Sequence, residues 1–84
     1  LESLTQLKGL WLNGNQLTDV KGLEKLTKLT WLGLGNNKLT DVKGLEKLTQ
    51  LVVLLIEFNP DLTKAQIDAL QKALPKCIID SDFE

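Results

Sequence analysis

The nine residues from Asp19 to Thr27, DVKGLEKLT, recur unchanged from Asp41 to Thr49, 22 positions later. Setting residues 1–22 above 23–44 extends the match to 14 of 22 positions. Leu1, Leu4, Leu7, Leu10 and Leu12 become Leu23, Leu26, Leu29, Leu32 and Leu34, then Leu45, Leu48, Leu51, Leu54 and Ile56. An asparagine column runs Asn15, Asn37 and Asn59, and a further leucine column runs Leu17, Leu39 and Leu62. The period slips by one at Pro60 and Asp61. A fixed period of this length is the mark of a repeat protein, in which each unit buries its apolar side only by stacking on its neighbours.

Within one unit the apolar spacing changes. Leu10 and Leu12, like Leu32 and Leu34, alternate at a period of two, which points both to one side of a strand. Leu1, Leu4 and Leu7 recur every three residues, which fits a chain turning inward at each corner or a short 3₁₀ stretch. Asn15, Asn37 and Asn59 fall where the backbone leaves the strand, and an amide there can donate to and accept from neighbouring backbone. Gly22 and Gly44 close their units and are expected to take a backbone angle that leucine avoids.

The pattern LxxLxxLxxLxLxxNxLTDVxx resembles the leucine-rich repeat family, in the 22-residue variety of internalin-like bacterial proteins, over the whole chain. The resemblance implies an α/β fold: a short right-handed solenoid with parallel strands on a concave face and 3₁₀ turns on the convex face. The repeats divide as 1–22, 23–44 and 45–62, followed by a C-terminal cap over 63–84. In the cap, Thr63 and Gln66 form a capping box, with Leu62 and Ile67 placed as the hydrophobic staple. Ile67, Leu70 and Leu74, with Ala73, share a helical face that Pro75 ends, so a helix is expected over about 64–74. Cys77 and Ile79 then fill the two leucine slots of a fourth strand over about 77–80. The segment from Asn59 to Ile79 looks like the closing unit of bacterial leucine-rich repeat proteins, with Cys77 as a core residue.

Composition narrows the function. The chain has 84 residues, a single domain at most, and 20 of them are leucine. Its net charge of −1 supplies no basic field for nucleic acid. No apolar run reaches a membrane span, and a single cysteine makes no internal disulfide. There is no histidine to activate Ser3, Ser81 or Cys77. Asp19 and Asp41 stack roughly 5 Å apart on adjacent units, but read as solvated turn residues beside Lys21 and Lys43. Asp80, Asp82 and Glu84 lie on a chain end without the rigid cage that calcium needs. Neither an enzyme nor a cofactor is expected.

What remains is the displayed surface. Residues between the strand leucines form columns: Gly9, Trp31 and Val53; Trp11, Gly33, Leu55 and Ile78; Asn13, Gly35, Glu57 and Asp80; and, before them, Lys8, Thr30 and Val52. Both tryptophans stand in these columns, each beside a glycine, and tryptophan is enriched at interaction hot spots. Lys8, Trp11, Asn13, Trp31, Val53, Leu55, Glu57 and Ile78 are therefore the candidate residues for a protein or peptide partner. A structural segment or designed scaffold with no partner is the alternative. The chain opens on Leu1 without Met and is expected to be part of something longer. With no polar cap before Leu1, the first coil is expected either to self-associate through its open strand edge or to adjoin further repeats.

Overall fold

The computed structural model describes residues 6–82. Four three-residue strands make one parallel sheet in sequence order: β1 (Gly9–Trp11), β2 (Trp31–Gly33), β3 (Val53–Leu55) and β4 (Ile78–Asp80). Register is 22 residues across the first two joins, pairing Gly9 with Trp31 and Trp31 with Val53. Between strands the chain returns through 3₁₀ turns at Leu23–Lys25 and Leu45–Lys47, and through helix α1 at Lys64–Ala73. The period-three leucines explain these turns. Leu26 and Leu48 each donate a backbone N–H to the leucine three residues before, at 3.0 Å.

Two glycines make the turns sterically accessible. Gly22 and Gly44 sit at φ 95° and 105°, a left-handed conformation in which a Cβ is costly. The inward leucines then meet in one core: Leu26, Leu29, Leu32, Leu34, Leu39, Leu45, Leu48 and Leu54 are wholly buried. Each such side chain contributes about 1.5–3 kcal/mol of burial, set against the entropy of ordering the chain. Leu7, Leu10, Leu12 and Leu17 of the first coil are only partly buried against it. Leu1 and Leu4 lie outside the described residues.

Helix α1 starts as its capping box requires. The Gln66 N–H donates to Thr63 Oγ1 at 3.2 Å, and the Thr63 N–H donates to Gln66 Oε1 at 2.9 Å. Leu62 and Ile67, the staple pair, are both buried, as are Leu70 and Leu74, whereas Ala73 remains exposed. Leu74 caps the helix, which therefore ends one residue before the expected boundary.

The fourth strand corrects the expected register. β4 pairs Val53 with Ile78, Leu54 with Ile79, and Leu55 with Asp80. Ile79, not Cys77, takes the slot of Leu54. Ile78 accordingly joins the column of Gly9, Trp31 and Val53, and Asp80 joins that of Trp11, Gly33 and Leu55. The cause lies in the turn before the strand. Cys77 donates its N–H to Leu74 O at 3.1 Å, as Leu51 does to Leu48 O at 3.1 Å, so Cys77 closes the corner instead of opening the strand. It is buried there, and burial pushes its thiol above its usual range.

Candidate functional site

Strand geometry turns Gly9, Trp11, Trp31, Gly33, Val53, Leu55, Ile78 and Asp80 to the face of the sheet away from the leucine core. The ladder beneath is continuous. Thr30 N–H donates to Lys8 O at 2.8 Å, Val52 N–H to Thr30 O at 2.7 Å, and Ile78 N–H to Val52 O at 2.8 Å. The edge next to the departing loops is held similarly, with Gly35 N–H donating to Asn13 Oδ1 at 2.8 Å.

The two tryptophans meet at this face. Their ring centroids lie 3.8 Å apart with planes at 85°, an edge-on contact. Gly33 makes room for it, since a Cβ there would collide with Cε3 and Cζ3 of Trp11. Trp11 nevertheless stays 55% exposed, while Trp31 is partly buried. Lys8 and Asn13 are exposed; Val53, Leu55 and Glu57 are partly buried; Ile78 is 65% exposed. Trp11, Trp31, Val53, Leu55 and Ile78 thus share the outward side of the sheet, and of these only Ile78 stands in a different column from the one expected.

Beside the face, the asparagine column makes a ladder between coils. Asn37 Oδ1 accepts from Asn15 N–H at 2.9 Å and Leu17 N–H at 3.0 Å, while Nδ2 donates to Leu12 O and Leu34 O, each at 3.0 Å. Asn59 Oδ1 accepts from Leu39 N–H at 3.2 Å, and Nδ2 donates to Leu34 O and Ile56 O, each at 3.0 Å. Asp82 closes the series: its carboxylate accepts from Phe58 N–H at 2.9 Å and Asn59 N–H at 3.3 Å. The sequence alone marks Asp82 only as one of three acids that lack the rigid cage calcium needs. The signal that could have found it is its place 23 residues after Asn59, about one unit later.

Phe58 was also missed. It shares a repeat position with Gly14 and Asn36, and all three adopt positive φ, of 64°, 70° and 57°. Asparagine and glycine accept that angle readily; phenylalanine does not. Its ring is 63% exposed at the end of the sheet.

The paired aspartates of the repeats take part in local turns. Asp19 Oδ1 accepts from Lys21 N–H at 3.0 Å, and Asp41 Oδ1 from Lys43 N–H at 2.9 Å, so both shape turns. Among the described residues no group of three His, Cys, Asp or Glu side chains is placed to hold a metal ion. No helix among them is long and apolar enough to cross a membrane.

No family model and no curated protein matches the chain. Solved structures do match, among them a leucine-rich repeat protein of Leptospira interrogans. The likeness covers 95% of this chain at 35% identity, with a TM-score of 0.77. The chain spans only 21% of that protein's length. In fold, then, the chain is a short leucine-rich repeat solenoid, and this likeness supports its place in the leucine-rich repeat family.

Proposed function

We propose that the chain is a non-catalytic module that binds a protein or peptide partner on the outward, concave face of its sheet. The observation that carries the reading is the apolar surface left open on that face, where Trp11 and Ile78 are each more than half exposed. Trp31, Val53 and Leu55 extend it, and Lys8, Asn13 and Glu57 rim it. Water gains nothing from such a surface, whereas a partner that covers it gains apolar burial. The division into repeats 1–22, 23–44 and 45–62 with a cap over 63–84, and the internalin-like 22-residue type, belong to the same proposal. The 22-residue register of the first two strand joins supports that type. The partly buried leucines of the first coil support a further contact there, either with another coil or with a second copy.

One observation favours a purely structural role. The Trp11 ring spends part of its surface covering Gly33 and meeting Trp31, as a ring that only protects the sheet would. The Trp11→Ser/Trp31→Ser double variant separates the two. A partner captured by the purified chain, and reconstituted from purified components, should be lost by a variant whose circular dichroism is unchanged. Equal binding by the two chains contradicts the concave-face reading.

A further inference from the structure

We propose that the partner's contact segment carries a lysine or arginine beside its apolar residues, and that this cation seats between Glu57 and Asp80. The inference rests on the concave-face reading above and adds the chemistry of the partner. Next to the apolar strip, the sheet ends in a hollow of about 270 Å³ lined by Gly35, Asn36, Leu55, Glu57, Phe58 and Asp80. Leu55 and Asp80 are paired in register, and Glu57 lies two residues beyond Leu55, so its side chain leaves the strand on the same side. The two carboxylates have no ion-pair or hydrogen-bond partner among the described residues.

The hollow suits a long basic side chain. Leu55 and the exposed Phe58 offer apolar surface for its methylene stem, and the carboxylates offer its counter-charge. The charge on this face is also graded. Lys8 precedes β1 at the far edge, and Glu57 and Asp80 stand at the β3–β4 end. Three strand spacings span about 14 Å, which an extended segment of four or five residues crosses. The gradient orients that segment with its basic residue over the last two strands.

A displayed library of random peptides, panned against the full chain, provides the probe. The leading synthetic peptide is then titrated against wild type, Glu57→Gln/Asp80→Asn and Trp11→Ser/Trp31→Ser, each confirmed folded by its thermal melt. Selected sequences should place a lysine or arginine beside aliphatic or aromatic residues. Glu57→Gln/Asp80→Asn should weaken the peptide roughly tenfold and remove most of its salt dependence. Selected peptides without a basic residue, or undiminished affinity in that variant while the tryptophan variant loses binding, overturn this inference and leave the proposed function standing. Peptides indifferent to both variants, or no selection at all, count against the proposed function itself.

Discussion

Replacing Asn37 with alanine should cost far more than the same change at Asn15, although the two occupy one repeat position. Asn37 is 4% exposed and satisfies four backbone groups at 3.0 Å or less: the N–H groups of Asn15 and Leu17 and the carbonyls of Leu12 and Leu34. At about 1 kcal/mol for each hydrogen bond, the loss comes to about 4 kcal/mol, and more where the groups left behind stay dry. A chain of this length is stable by only about 4–13 kcal/mol, so Asn37→Ala should lie near the edge of unfolding. Asn15 is exposed, and among the described residues its side chain makes one bond, from Nδ2 to Asn13 O at 3.2 Å. Its replacement should cost under about 1 kcal/mol, because water can serve the freed groups. Urea titration followed by circular dichroism measures both. Equal losses in the two variants, or a loss below about 1 kcal/mol at Asn37, would refute the view that the buried amide ladder holds adjacent coils together.

Three further outcomes are expected. Phe58→Asn should raise stability by up to about 1 kcal/mol, because asparagine tolerates the positive φ that Asn36 already adopts at the equivalent position; a lowered urea midpoint would mean that the phenylalanine ring contributes more than its strain costs. Cys77, buried and with its thiol pushed up by desolvation, should react with a disulfide reagent at pH 8 only as fast as the chain unfolds, and prompt stoichiometric reaction of the folded chain would contradict its placement. Hydrogen bonds from its own backbone N–H and that of Gly22 hold the Glu24 carboxyl below its usual range, so the folded chain binds fewer protons there than the unfolded chain. That contribution is present above the unfolded carboxylate range and fades as pH falls through the folded value, so Glu24→Gln should flatten the acid side of the stability profile; an unaltered slope would remove the linkage.

Much of this architecture was legible because it repeats. Leucines recurring at fixed spacing leave few other ways to bury the apolar surface, so the first three strands, their turns and the left-handed Gly22 and Gly44 follow from the period. The capping box and staple placed α1 because they are local chemistry. The register of β4 was not legible. Helix α1 replaces a three-residue turn, and how much chain it takes up before the next corner depends on the Cys77–Leu74 hydrogen bond, a feature of the folded backbone. Asp82 and Phe58 escaped for a related reason. Each departs from the residue type of its column while keeping the column's geometry, one as acceptor and the other as positive φ. The candidate surface was legible as a set of outward positions. The edge-on contact between Trp11 and Trp31 was not, since spacing places Cα atoms and leaves ring orientation open.

The exposure of the tryptophan pair tests the central claim most directly, since a binding face requires rings that solvent can reach. The measurement is acrylamide quenching of the emission of a proven monomer, compared with Trp31→Ser, which leaves Trp11 alone. With Trp11 55% exposed, the single-tryptophan chain should emit at long wavelength and quench readily, and the intact chain should show both this population and a more shielded one from Trp31. Blue-shifted emission that acrylamide does not reach in either chain would place both rings inside the protein and remove the surface on which the proposed function depends.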